Sequence, residues 1–300
     1  MKRLLGKVQG TQPGPLIICV AAIHGNEQMG IHAFNRIVAS IENHNIELKG
    51  KLIGIRGNLK AIESNRRFID YDLNRAWTDA FIDQLDSSSF DQMSEDQELK
   101  DVLNMIKEES DGVYTQKVIV DLHATSSEQG NFVVVPELAS DHPIIRSINL
   151  PVVVGLNTYL EGTMLNYYYE KGYLAFVVEG GVIGTEKAYE LHTSALWEIL
   201  DAAGAISHHD LEQEDHYAAY LSSISKRLPS KIKTLYRHAI QSGDGFRMLS
   251  GFQNFMMISK GQQLAIDRNG PIYAPIHGLI FMPLYQNEGD DGFFIVEDIS

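Results

Sequence analysis

Leu16-Ile17-Ile18-Cys19-Val20-Ala21-Ala22-Ile23, followed at once by His24-Gly25-Asn26-Glu27, is the stretch from which the rest of the chain can be read. These eight apolar residues form the longest unbroken run in the protein. A strand with one wet face alternates apolar and polar positions, so a continuous run fits a strand covered on both faces. The next segment, Gly25–Glu42, carries Met29, Ala33, Ile37 and Ile41 at helical spacing. Short apolar runs recur at Leu52–Ile55, Val118–Leu122, Phe132–Val135, Val152–Gly155 and Leu174–Val178. Thr185–Leu200 reads as a helix with Ala188, Leu191, Ala195 and Ile199 on one face. Strands alternating with helices predict an α/β fold, with a mixed, mostly parallel sheet covered by helices.

Composition then shifts. Asp79–Asp111 holds eleven Asp or Glu against two Lys, with a serine run at Ser87–Ser89, and reads as a solvated loop and acidic helix without chemistry. Beyond residue 205 the chain is first charged and partly helical, then a series of short β-like runs separated by Gly and Pro. The expected organisation is a catalytic α/β domain over 1–205, a connector over 206–232 and a smaller β-rich C-terminal domain over 233–300.

The 300 residues include 44% hydrophobic and 21% charged residues, the balance of an ordinary globular protein. The longest apolar run is far short of the roughly 20 residues a membrane-spanning helix needs. A net charge of −14 repels phosphate backbones and anionic lipid, so neither nucleic acid nor a membrane surface is an expected partner. The single cysteine, Cys19, allows no internal disulfide. Met1–Leu5 imitates a signal peptide only until Gly6 and Lys7 interrupt it, and the expected location is the cytoplasm. The oligomeric state stays open, a homo-oligomer included.

Nucleophile-elbow, P-loop, dinucleotide-binding and H-E-x-x-H motifs are all absent. What the sequence offers instead is positional. Three apolar strand candidates end in an ionisable residue: Leu16–Ile23 at His24, Val118–Leu122 at His123, and Leu174–Val178 at Glu179. Ligands of open α/β sheets bind outside the carboxyl ends of strands. His24, Glu27 and His123 make a His₂Glu set, the ligand class of catalytic zinc with one open position. Zinc polarises a carbonyl and lowers the pKa of bound water to about 7. Glu179 is then the available carboxylate to take a proton. The competing reading makes each histidine a hydrogen-bonded structural residue. A second cluster, Arg66, Arg67 and Arg75 around Asp70, Asp72 and Asn74, concentrates positive charge in an acidic chain. Arginine grips carboxylates through a bidentate fork, unless the two aspartates simply neutralise it.

Taken together, His24–Glu27, Arg67–Arg75 (RFIDYDLNR), Asp121-Leu122-His123, Glu179-Gly180-Gly181 and the tail from Pro283 to Phe294 resemble the succinylglutamate desuccinylase/aspartoacylase family, relatives of the zinc carboxypeptidases. The resemblance implies a zinc-carboxypeptidase-like α/β domain with a smaller β-rich C-terminal part. It implies one Zn²⁺ per chain, bound by His24, Glu27 and His123, with Glu179 activating water and passing its proton to the leaving amine. It further implies Arg67 at the developing oxyanion, Asn74 and Arg75 on a substrate carboxylate, and Asp72 behind a ligand histidine.

One departure bears on the substrate. Aspartoacylases proper carry a further arginine shortly before the catalytic glutamate, whereas Tyr159–Val178 contains none. The expected activity is hydrolysis of the amide bond of a small, carboxylate-bearing N-acyl amino acid or similar compound. The alternatives are a metallocarboxypeptidase acting on peptides, which needs an open groove, and a non-catalytic binding protein on the same fold.

Overall fold

A computed structural model describes residues 1–85, 93–125, 131–207, 216–241, 243–285 and 289–300. Along the chain, β1 (Leu4–Gln9) and β2 (Gln12–Ala21) lead into α1 (Met29–Asn43), β3 (Lys49–Arg56), α2 (Leu59–Ser64), α3 (Asp79–Leu85) and α4 (Ser94–Glu109). Next come β4 (Lys117–Thr125), β5 (Phe132–Val134), α5 (Pro143–Ser147), β6 (Val152–Val154), α6 (Met164–Glu170), β7 (Leu174–Val182), α7 (Glu186–Ala202) and α8 (His216–Ser225). The last part is β-rich: β8 (Lys231–Ala239), β9 (Arg247–Met248), β10 (Met257–Ile258), β11 (Gln263–Asp267), β12 (Gly270–Tyr273), β13 (Gly278–Phe281) and β14 (Asp291–Asp298).

Eleven strands form one sheet in the order β1-β3-β2-β4-β7-β5-β6-β8-β14-β13-β10, and β12-β11-β9 form a second, small sheet. The central strands β3, β2, β4 and β7 pair in parallel. β1 runs antiparallel to β3, and β5 antiparallel to β7. The expected mixed sheet with a parallel centre is therefore present. The C-terminal strands continue it, because β6 pairs in parallel with β8 and β14 then pairs with β8.

The unbroken apolar run of β2 has a direct physical cause. Ile17, Cys19 and Ala21 face one core, with Phe34 and Ile37 of α1 and Leu191 and Trp197 of α7. Leu16, Ile18 and Val20 face another, with Leu99, Val102 and Ile106 of α4 and Met164 and Tyr168 of α6. Strand alternation sends successive side chains to opposite faces, and both faces here are dry.

The structure corrects several boundaries. Helix α1 begins at Met29, not Gly25, because Gly25–Gln28 form a turn in which Glu27 N donates to His24 O at 3.0 Å. Ala22 at the end of β2 has φ +57°, a left-handed bend that takes the chain off the sheet just before His24. Gly25 packs so tightly that an added Cβ would stand 2.1 Å from Ala61 C. β4 and β7 do not stop before His123 and Glu179 but carry both inside their last residues. Strand β1 was not anticipated.

The acidic stretch 79–111 is also more than solvated. Glu95 and Glu98 are buried. Glu95 accepts from Asn58 Nδ2 at 3.0 Å and from the amides of Ile69 and Asp70 at 2.7 and 2.9 Å. Glu98 accepts from Leu59 N at 2.8 Å and pairs with Arg3. A buried carboxylate is retained only with such partners, so this helix pins the loop that carries Arg67–Arg75. Ser87–Ser89 lie outside the described residues.

Candidate active site

The sheet ladder builds one wall of a cavity directly. His123 of β4 pairs with Glu179 of β7, and Glu179 pairs in turn with Phe132 of β5. The turn after β2 delivers His24 and Glu27, and the loop pinned by Glu95 delivers Arg67, Asp72, Asn74 and Arg75. The eight residues assigned a role from the sequence, His24, Glu27, Arg67, Asp72, Asn74, Arg75, His123 and Glu179, line this cavity of about 160 Å³, whereas Arg66 and Asp70 of the same cluster are not among its lining residues.

Glu27 is the hub. Its Oε1 lies 3.0 Å from His24 Nδ1 and its Oε2 lies 3.1 Å from His123 Nδ1, while Ala124 N donates to Oε2 at 3.0 Å. Arg67 donates to Glu27 at 3.3 Å and to Asp72 at 3.1 Å. The far nitrogens of both imidazoles are held by carboxylates: His24 Nε2 lies 3.0 Å from Asp72 Oδ1, and His123 Nε2 lies 2.7 Å from Asp121 Oδ2. Each histidine thus turns Nδ1 toward Glu27. One ligand atom each from His24, Glu27 and His123 falls within 4.8 Å of the others, all buried. Two imidazole nitrogens and a carboxylate oxygen, each oriented by a further hydrogen bond, fit a divalent transition ion.

Electrostatics separate the carboxylates. Burial pushes Glu27 and Asp72 up, but the neighbouring imidazoles, and Arg67 beside Asp72, outweigh it and hold both well below the usual carboxylate range. Burial likewise works against the charged form of His123, and Asp121 and Glu27 overcome it, raising His123 well above the ordinary imidazole value. Glu179 goes the other way. Burial, reinforced by the Glu27 charge, lifts it to about 7 against the pull of His123, His24 and Arg67. Paired carboxyl groups pushed apart in this manner are suited to different chemical tasks.

A model of the succinylglutamate desuccinylase/aspartoacylase catalytic domain matches residues 13–196. The chain belongs to the succinylglutamate desuccinylase/aspartoacylase family. It is 27% identical over 176 residues to succinylglutamate desuccinylase of Pseudoalteromonas atlantica, covering 56% of this chain and 50% of that one. A shorter stretch of 59 residues, 20% of this chain and 18% of the other, is 37% identical to succinylglutamate desuccinylase of Photorhabdus laumondii. The chain thus spans from about a fifth to just over half of the length of the curated relatives it matches. Among solved structures, succinylglutamate desuccinylase from Vibrio parahaemolyticus superposes with TM-score 0.68 at 17% identity, over 98% of this chain and 86% of that one. The ectoine utilization protein EutE (DoeB) from Ruegeria pomeroyi gives 0.66 at 18% identity, over 97% and 87%. At these identities the superpositions establish the shared fold.

Several features of this family member's site were given no role in the sequence reading, although Asp121 and Asp291 stand in stretches that carry the resemblance. Asp121 stands two residues before His123, a spacing that puts both on one face of β4, and that signal was available. Asp291, at the start of β14, accepts from Arg75 at 3.2 Å and also pairs with Arg237 of β8. His192 Nε2 donates to the backbone carbonyl of His123 at 2.9 Å. Burial pushes this imidazole down to about 4, so it is neutral and the contact is Nε2–H to the carbonyl. Asn254, Met282, Pro283, Leu284 and Asp290 complete the cavity wall from the C-terminal part.

Proposed function

We propose that the chain is a zinc-dependent deacylase that hydrolyses the amide bond of a small, carboxylate-bearing N-acyl amino acid, acting in the cytoplasm. The observation that carries this reading is the convergence of His24, Glu27 and His123 with Glu179 and Arg67 on one cavity. A zinc ion held by His24, Glu27 and His123 would supply a Lewis acid for the amide carbonyl and make water acidic enough to attack near neutral pH. Glu179 is the general base that takes the proton from the attacking water. It then delivers that proton to the departing nitrogen. Arg67 is fixed by Glu27 and Asp72 on the cavity lining, and its role in this reading is to stabilise the oxygen on which negative charge develops. Asn74 is locked by Met164 N, which donates to its Oδ1 at 2.9 Å, its Nδ2 lies 3.5 Å from His123 Nε2, and it lines the cavity together with Arg75. These two hold the substrate carboxylate.

The walling of the cavity by residues 282–284 and 289–291 favours a small amide over a peptide, which needs an open groove. The test is metal analysis of the purified chain followed by a panel of N-acyl amino acids. The reading requires about one zinc per chain and turnover of at least one compound. Zinc-loaded protein that hydrolyses none of them would remove it in favour of a binding role.

A further inference from the structure

The wall beside Glu179 is apolar. Phe132 stands directly across the ladder from Glu179, Val177 precedes Glu179 by two residues on β7, and Val134 pairs with Val177. Leu165 from α6 and Leu156 close the same side, and all of these residues line the cavity. They belong to one packed cluster with Val153 and Phe281 behind them, so the wall is rigid rather than a loose hydrophobic fringe.

The guanidinium groups on the lining, among the described residues, are those of Arg67 and Arg75. Arg67 is committed to Glu27 and Asp72. Arg75 donates to Asn74 O at 2.9 Å and to Asp291, which Arg237 also grips. Because Arg237 also grips Asp291, Arg75 is the lining guanidinium left to take one substrate carboxylate. Residues 126–130 and 286–288, which adjoin lining residues in the chain, contain no lysine or arginine. Among the described lining residues no further lysine or arginine stands to neutralise a second carboxylate set against Phe132, Val134 and Val177.

We infer that the substrate is the N-acyl derivative of an apolar α-amino acid, with its side chain seated on the Phe132–Val134–Val177–Leu165 wall. The inference rests on the deacylase reading for its orientation. Glu179 must reach the leaving nitrogen to protonate it, so the group attached to that nitrogen lies against the residues flanking Glu179, while Asn74 and Arg75 take the α-carboxylate. An aspartate or glutamate side chain in the same place would bury a charge with no lysine or arginine left to pair with it among the described lining residues. A site that leaves a buried polar group unpaired rejects the misfit compound by large factors.

The experiment compares kcat/KM of the zinc-loaded full chain on N-acetyl-L-leucine, N-acetyl-L-methionine and N-acetyl-L-phenylalanine with that on N-acetyl-L-aspartate and N-succinyl-L-glutamate. The best apolar compound should lead by about 100-fold. A lead below tenfold, or a preference for either diacid, overturns the inference while leaving the deacylase reading intact. If no compound is turned over, the deacylase reading falls, and titration calorimetry with the same five compounds decides the remaining question. Tighter binding of an apolar compound supports the wall as the recognition surface. Equal or tighter binding of a diacid overturns it.

Discussion

Replacing Glu179 with Gln should move activity and stability in opposite directions. Gln keeps the size and hydrogen-bonding capacity of the side chain but cannot accept a proton, so kcat should fall about 10²–10⁴-fold. Stability is expected to change for a separate reason. In the metal-free folded protein the Glu179 carboxyl is raised by burial from 4.5 to about 7. Its charged form is thus disfavoured in the folded state relative to the unfolded chain. Below pH 4.5 the group is protonated in both states and contributes nothing to the difference. As pH rises toward 7 the unfolded chain ionises freely while the folded one resists, and stability is progressively lost. The rise corresponds to on the order of 3 kcal/mol above pH 7. Glu179→Gln mimics the neutral acid at every pH and escapes this loss. Urea unfolding of metal-stripped protein should therefore show wild type and variant alike near pH 4, and the variant more stable at pH 8. Metal content of the loaded variant should stay near one per chain, since Glu179 is not among the ligand set. A variant that is less stable at pH 8 while keeping most of its kcat would refute the reasoning, and Glu179 would then be a structural ion-pair partner.

Three further outcomes follow from the same geometry. His123→Ala should lose metal and activity together, checked by metal analysis and turnover on one preparation. Asp121→Asn should weaken zinc binding about 10–100-fold in a chelator competition, because the carboxylate fixes the orientation of His123. Arg75→Ala should raise KM about 10–150-fold for a carboxylate-bearing substrate, since a hydrogen bond to a charged group contributes about 1.5–3 kcal/mol; an unchanged KM, with binding limiting, would move Arg75 to the support of Asp291.

What the sequence made legible and what it hid divide along a physical line. The run Leu16–Ile23 announced a doubly covered strand because both of its faces are dry, and the spacing of His24 to Glu27 placed two polar groups on one turn. His123 and Glu179 could be found because each interrupts an apolar run, although the ladder that makes them neighbours could not. Glu95 was hidden, since its partners are amides of residues 69 and 70, brought to it by tertiary structure rather than by any local pattern. Strand β1 was hidden because Gly6 and Lys7 break its apolar character, and its support comes from pairing with β3. The place of Asp291 and of the wall residues from 254 to 291 at the cavity was hidden for a similar reason, although the tail from Pro283 was noticed: only the pairing of β14 with β8, and of β8 with β6, brings them there.

The splice between β6 and β8 also governs what can be cut away. The matched catalytic region ends at residue 196, which invites expression of that region alone. Such a fragment would turn β6 into an edge strand. Its three valines are buried, and the amide of Val152 donates to Ser230 O at 3.0 Å. Stripped of that partner, the fragment would present unpaired backbone groups and a row of valines to solvent, the template on which chains add to one another. Aggregation of the fragment would then reflect a severed sheet rather than a poorly folding catalytic half.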